Sequence, residues 1–174
     1  MMRRLTPLVL ILLATATCIG CDQITKDFAR DHLLYGARMT LVNDLVHLVY
    51  AENAGVAFGI GAALPSTVRF WLFIVGIVGV LILIGVVAYR RRGMGAVFLS
   101  GITLVMAGGL SNLIDRLMND GHVVDFLVLD VGGLRTIVFN LADVLVLLGT
   151  TLLIIGALRA ERGRGAVQSA SSEW

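Results

Sequence analysis

Two aspartates, Asp125 and Asp143, lie in very apolar stretches of the chain, HVVDF at 122–126 and FNLAD at 139–143. A carboxylate beside hydrocarbon is costly unless it is protonated, paired or used in chemistry. If the two carboxyls meet, burial and mutual repulsion raise one pKa, so that the pair shares one proton. The ionised member can then activate water while the protonated member polarises a peptide carbonyl, as in an aspartic protease.

The separation of these aspartates along the chain leaves that chemistry open. They stand 18 residues apart, and the sequence alone does not show that they meet, so separate structural roles are the alternative. We expect Asp125 in an outer loop. We expect Asp143 one turn into a membrane helix, on the same face as Asn140. Asp130, which precedes Gly132, has the pattern of a turn residue.

Asp22 and Lys26 lie four residues apart in the segment DQITK, so they share a helix face and can form an ion pair. One interpretation is an anchor at the membrane interface, with Lys26 extending its charge outward to water. The alternative is that the pair supports a site that receives a substrate.

The segment ENAGVAFG at 52–59 places polar groups among small residues. Asn53 can donate and accept hydrogen bonds, and Gly55 lets another chain approach closely. The pattern is consistent with a binding loop and equally with a tight turn closed by the asparagine side chain.

Gly108, Asn112 and Arg116 recur at intervals of four residues, so they line one helix face. Helix packing at the glycine and an interhelical hydrogen bond from the asparagine would explain two of them. A guanidinium that faces the interior of a membrane bundle needs an anionic or carbonyl partner. Arg116 is therefore a candidate site residue, and Asp115 stands beside it.

The elements that position these residues are membrane helices. Hydrophobic residues make up 57% of the 174 residues, charged residues make up 15%, and the mean hydropathy is +0.90, which excludes an ordinary soluble domain. Three stretches with few charges are long enough to cross a hydrocarbon core of about 30 Å, and a shorter first stretch continues into polar helix. We predict an all-α membrane protein with four transmembrane helices, at 5–26, 69–90, 94–116 and 136–159.

The distribution of charge predicts the orientation. Eight of the 14 Lys and Arg residues, but only two of the 12 acids, fall on one side of the four spans. By the positive-inside rule both termini are cytoplasmic, the loops 27–68 and 115–135 face outward, and the site lies toward the outer leaflet. The arginines are scattered beside the spans, so we expect no nucleic acid partner.

We predict one transmembrane domain at 1–160, with an outer insertion at about 27–68 and a disordered cytoplasmic tail at 161–174. Within the insertion, residues 40–60 alternate apolar and polar side chains. That alternation is typical of short strands, so we expect a small extracytoplasmic β element with a loop.

Cys18 and Cys21 have the spacing of a redox pair, but they lie in or at the end of the first span, where ordinary packing is favoured. The same residues resemble the cleavage site of a lipoprotein leader, which would make the chain a lipid-anchored binding protein. A small transporter or proton channel is a further alternative, although no internal repeat supports it.

Taken together, the polar segments match the motifs of one protein family. The chain resembles the bacterial lipoprotein signal peptidases, also called signal peptidase II. The matching segments are Asp22-Gln23-x-Thr25-Lys26, Asn53-x-Gly55-x-Ala57-Phe58, Gly108-Gly109-x-x-Asn112-x-x-Asp115-Arg116, Val124-Asp125-Phe126 and Phe139-Asn140-x-Ala142-Asp143. Val144 is a mild departure from the small or hydroxylated residue that is frequent there.

The resemblance implies a multi-pass aspartic endopeptidase of the bacterial inner membrane. It would cleave prolipoproteins before a cysteine that carries a diacylglyceryl group. The implied site residues are the catalytic Asp125 and Asp143, the substrate-binding Asn53, Gly55, Gly108, Asn112, Arg116 and Asn140, and the supporting Asp22, Lys26 and Asp115. We expect no metal or other cofactor, membrane lipids and globomycin-like inhibitors as partners, and a monomer.

Overall fold

Four long helices dominate the computed structural model, which describes residues 2–55, 61, 63–90 and 95–171. They are α1 (Met2–Leu33), α2 (Ser66–Arg90), α3 (Ala96–Met118) and α4 (Leu141–Ser171). Each contains a segment long and apolar enough to cross a membrane. The prediction of four transmembrane helices is therefore confirmed.

A four-stranded antiparallel sheet packs at one end of the helices. Its strands are β1 (Met39–Leu41), β2 (Val46–Asn53), β3 (Val123–Val131) and β4 (Leu134–Arg135), and they lie in that order. The small β element predicted within residues 40–60 is thus present as β1 and β2.

Strand β3 corrects the expectation that Asp125 lies in a loop. Asp125 is opposite Ala51 of β2 in the ladder. The strand was hard to predict because apolar residues occupy both of its faces, with Val123 and Val124 both buried. A strand buried on both sides does not alternate apolar and polar residues.

The C-terminal part of α1 supports this sheet. Ala29 and Leu33 are fully buried against Val124 and Phe126 of β3. Helix α1 runs seven residues beyond the predicted end at residue 26. The extension lets the helix reach the sheet and fixes the position of β3.

Helix α4 begins at Leu141, later than the predicted residue 136, because residues 136–139 lie beside β3 and make backbone hydrogen bonds to it. At its other end α4 runs to Ser171, so the backbone is helical through much of the segment that the sequence analysis expects to be disordered. Alanine, arginine and glutamine are good helix formers, which favours this continuation.

Helix α3 is central and packs against the other three helices. Glycines permit the closest approaches. A Cβ on Gly108 would overlap the carbonyl oxygen of Ala142 in α4, and a Cβ on Gly101 would lie 2.9 Å from the carbonyl oxygen of Gly149. Both obstacles are backbone atoms, which move only with their helix.

Gly108→Ala is therefore expected to destabilise the protein by about 1–3 kcal/mol, the usual cost of overpacking. The measurement is the unfolding temperature in detergent. The matched control is Gly79→Ala in α2, because a Cβ at Gly79 meets nothing within 4 Å. Equal unfolding temperatures for the two variants would contradict the close packing of α3 on α4.

Candidate active site

The side chain of Asn140 brings together the two aspartates singled out in the sequence. Its Nδ2 donates a hydrogen bond to Oδ1 of Asp125 at 2.6 Å. Its Oδ1 accepts the backbone N–H of Asp143 at 2.9 Å, and its own N–H donates to Oδ2 of Asp143 at 3.2 Å. This reciprocal pair is a capping box. Asn140 therefore precedes α4, with Asp143 in the first turn, and does not lie one turn into the span as predicted.

Each carboxyl also accepts a hydrogen bond from the side-chain amide of another asparagine. Asn53 Nδ2 donates to Oδ2 of Asp125 at 3.0 Å, and Asn112 Nδ2 donates to Oδ1 of Asp143 at 2.9 Å. The resemblance implies that Asn53, Asn112 and Asn140 bind the substrate. In the structure all three make contacts that orient the aspartates.

The environment of Asp125 disfavours its charge. The residue is only 2% exposed, and burial raises the pKa of its carboxyl to about 6, with a smaller contribution from the negative charge of Asp143. Hydrogen bonds from Asn53 and Asn140 and the charge of Lys26 act in the opposite direction. The carboxyl can thus hold a proton at mildly acidic pH, as a proton-sharing site requires.

This raised pKa predicts a dependence of stability on pH. The folded protein holds the Asp125 proton up to about pH 6, whereas the unfolded chain releases it near the usual value of 3.8. The contribution to stability is therefore fully present below about pH 4 and is lost as the pH rises through about 6. The unfolding temperature of the wild type should fall over that range relative to Asp125→Asn.

The comparison with Asp125→Asn isolates this group, because the amide does not titrate and the other acids are common to both proteins. The unfolding temperature of each protein is measured in detergent at about pH 4, pH 5, pH 6 and pH 7, which gives one curve of unfolding temperature against pH for the wild type and one for the variant. Parallel curves for both proteins across the whole range would show that Asp125 has an ordinary pKa.

Arg116 ties the loop after β2 to helix α3. Its Nη2 donates to the carbonyl oxygen of Gly55 at 2.8 Å, and its Nη1 donates to that of Asn112 at 3.1 Å. The guanidinium carbon lies 5.7 Å from the ring centre of Phe73. Asn53 Oδ1 accepts the N–H of Gly55 at 2.9 Å. The carbonyl partners expected for Arg116 are therefore present, while its buried Nε has no hydrogen-bond partner among the residues that the structure describes.

An ion cluster lies behind these residues. Lys26 Nζ is 2.6 Å from Oδ2 of Asp22 and 3.0 Å from Oδ2 of Asp115, and all three side chains are buried. Lys26 is completely inaccessible to solvent. The interpretation that it extends outward as an interfacial anchor is therefore wrong, and the pair lies where a supporting role is expected.

Two members of this cluster were missed in the sequence. Ser111 Oγ donates to Oδ2 of Asp22 at 2.7 Å. Gln23 Nε2 donates to Ser111 Oγ at 3.0 Å and to Oδ1 of Asp115 at 3.1 Å. The spacing of Ser111 could have identified it, because Ser111 and Asp115 lie four residues apart and therefore share the inward face of α3.

Gly108 packs against α4 at the level of Ala142 and Val146. The helix-packing interpretation of this glycine therefore has direct structural support. Its close approach brings α4 toward α3, so that Asp143 reaches Asn112.

Several other groups lie outside this site. Asp130 is bound to Arg135 in the β3–β4 hairpin, and the hydrogen bond from Arg135 holds the pKa of its carboxyl below the usual value. Cys18 and Cys21 are free thiols within α1. No group of histidine, cysteine and acidic side chains suited to a metal ion occurs within the described residues.

A cavity of 510 Å³ lies between α1 and α3, about two turns along α3 from Asn112. Its lining is almost entirely apolar and comprises Leu10, Ile11, Ala14, Cys18, Ala96, Leu99, Ser100, Thr103 and Leu104. It contains no carboxyl group, so it is separate from the aspartates.

The sequence model of the signal peptidase (SPase) II family matches residues 14–159. The chain is 38% identical over 141 residues to a lipoprotein signal peptidase of Halothermothrix orenii, covering 81% of this chain and 90% of that relative. It is 36% identical over 142 residues to a lipoprotein signal peptidase of Burkholderia vietnamiensis, covering 82% and 83%.

Solved structures resemble the fold as well. Two are described as bacterial membrane enzymes determined by the in meso method, at 2.3 Å and 1.9 Å resolution. Their TM-scores are 0.75 and 0.74, each with 26% sequence identity. The matches cover 86% of this chain and 87% of the first structure, and 85% and 92% for the second.

Proposed function

The chain belongs to the signal peptidase II family, and from this membership we propose that it is a membrane aspartic endopeptidase. Its substrates are prolipoproteins whose cysteine carries a diacylglyceryl group, and it cleaves the peptide bond before that cysteine. One observation carries the assignment of Asp125 and Asp143 as the catalytic pair. Asn140 donates to the first and caps the helix turn that bears the second, so one side chain contacts both residues, which supports a pair that shares a proton.

The reaction needs one ionised and one protonated carboxyl. The carboxylate removes a proton from water as the water oxygen attacks the scissile carbonyl carbon, and the carboxylic acid gives its proton to the carbonyl oxygen. The resulting tetrahedral diol then collapses. The bond to the nitrogen breaks, and the amine leaves with the proton that was taken from water. One hydroxyl of the diol returns its proton to the carboxylate that had protonated the carbonyl oxygen, which gives the carboxylic acid product and restores the pair.

The position of the pair suits a substrate anchored in lipid. Asp143 stands in the first turn of a membrane span, and Asp125 stands in the adjoining sheet. A diacylglyceryl cysteine can therefore reach the pair sideways from the bilayer while water enters from the sheet side. With both termini cytoplasmic by the positive-inside rule, the pair lies toward the outer leaflet.

Arg116 and the loop at Gly55 are the proposed substrate contacts. The Nε of Arg116, which has no partner among the described residues, can donate to a substrate carbonyl. The aspartates are held by Asn53, Asn112 and Asn140. Gly108 sets the distance between α3 and α4. Asp22, Lys26 and Asp115 support them from behind. The enzyme acts as a monomer among membrane lipids and is inhibited by globomycin.

The test is cleavage of a purified prolipoprotein precursor in detergent, with the precursor supplied either lipidated or unlipidated. We expect cleavage of the lipidated form alone, between the cysteine and the residue before it, and inhibition by globomycin. Mass spectrometry of both products locates the cut. Cleavage elsewhere, or equal rates for both forms, would refute the proposed substrate.

A further inference from the structure

Lys26 determines how the amide of Asn112 is oriented. Its Nζ lies 2.9 Å from Oδ1 of Asn112, in addition to its contacts with the two acids of the cluster. An ammonium group can only donate hydrogen bonds, so the oxygen of the amide must face Lys26. The Nδ2 group of Asn112 must then face Asp143, whose Oδ1 is the acceptor.

The acids bound to Lys26 also hold the backbone next to each catalytic aspartate. Asp22 Oδ1 accepts the N–H of Ala142, the residue before Asp143, at 2.7 Å. Asp115 Oδ2 accepts the N–H of Val124, the residue before Asp125, at 3.1 Å. Because Lys26 bridges Asp22 and Asp115, one buried cation links α4 to β3.

Two hydrogen bonds and a position at a helix start stabilise the ionised form of Asp143. Oδ1 accepts from Asn112 and Oδ2 accepts from the N–H of Asn140. The carboxyl also lies in the first turn of α4, where the helix dipole favours a negative charge. Asp125 also accepts hydrogen bonds from two side-chain amides, but it lies in a strand, which has no such dipole.

The other charged groups around this site come from three elements. They are Asp22, Lys26 and Arg30 on α1, Asp115 and Arg116 on α3, and Asp125 on β3, with Arg30 Nη2 3.8 Å from Oδ1 of Asp115. Removal of Lys26 alone would leave two buried acids without their shared cation, which destabilises a fold strongly. A usable test must therefore remove a matching negative charge.

We propose that Lys26 is a positioning residue which, through Asn112, keeps Asp143 as the carboxylate that activates water, and leaves Asp125 as the proton donor to the substrate carbonyl. The inference rests on the proposed function. It assigns the two protonation states within the pair, and it gives Lys26 a role in catalysis although it is fully buried behind the aspartates.

The test is the double variant Lys26→Met/Asp22→Asn, which removes one positive and one negative charge. The new asparagine can still accept the N–H of Ala142. Without Lys26 only the longer contact from Asn140 Nδ2, at 3.2 Å, still holds the oxygen of the Asn112 amide, so Asp143 has a less firmly fixed donor. We expect kcat on lipidated precursor to fall about tenfold, KM to stay unchanged, and the acidic limb of the pH profile to move up by about 1 pH unit.

Gln23→Met is the matched control, because Gln23 contacts Ser111 and Asp115 of the same cluster but makes no hydrogen bond to Asn112. It should lower the unfolding temperature and leave the pH profile in place. Asn112→Leu is a second test that keeps the pair of Lys26 and Asp22, and it should move the acidic limb in the same direction as the double variant.

Three outcomes are distinguishable. An acidic limb that stays at the wild-type pH in the double variant or in Asn112→Leu overturns the role of Lys26, while cleavage by the wild type still supports the proposed function. An equal shift in Gln23→Met would show a general effect of the cluster and would also overturn it. Absence of cleavage by the wild type would refute the proposed function itself.

Discussion

Asp125→Asn and Asp143→Asn are each expected to lower kcat on lipidated precursor by about 10⁴-fold or more, because each removes one of the two groups that move protons. The amide is the same size as the carboxyl, but it can neither act as the base nor supply the proton. Since the two carboxyls act as a unit, the double variant should be little worse than either single variant. The measurement is the single-turnover rate of precursor cleavage.

Asp130→Asn is the matched control for these variants. It is also an aspartate of β3, but its partner is Arg135 in the hairpin, so cleavage should stay near the wild-type rate. The unfolding temperatures of all four variants separate loss of chemistry from loss of the fold. Retention of cleavage by either single variant, in folded protein, would exclude the catalytic pair.

The membrane helices could be predicted from sequence because each is a long apolar run that the bilayer requires. The number of helices and the polar face of α3 follow from hydropathy and from the four-residue spacing of Asn112 and Arg116. Strand β3 could not be predicted in this way, because burial of Val123, Val124 and Phe126 removes the alternation that marks a strand.

The shared contact of Asp125 and Asp143 with Asn140 could not be predicted from sequence patterns. It depends on the cap formed by Asn140 and on a run of chain beside β3 that returns the backbone to the start of α4. Such contacts depend on three-dimensional packing and produce no periodic pattern in the sequence. The same holds for Lys26, since its four-residue spacing from Asp22 predicts the ion pair but not the contact with Asn112 on α3.

Asn140 has two roles that substitution can separate, and this yields the second large expected effect. Serine at this position is a good N-cap and can still accept the N–H of Asp143, but it cannot reach Asp125 as the amide does. Asn140→Ser should therefore stay close to the wild type in unfolding temperature and lose about 10²-fold in kcat. Asn140→Ala should lose a similar amount of activity and, in addition, about 1 kcal/mol of stability with the cap.

The difference between these two variants distinguishes positioning of the aspartates from helix capping. If capping alone mattered, Asn140→Ser would cleave precursor at nearly the wild-type rate while Asn140→Ala would not. If Asn140 acts by holding Asp125 beside Asp143, both variants are slow. Both should also lose the 2.6 Å hydrogen bond that opposes the raised pKa of Asp125, so the basic limb of their pH profiles should move to higher pH. An unmoved basic limb in a slow, folded Asn140→Ser would mean that Asn140 does not set the protonation of Asp125.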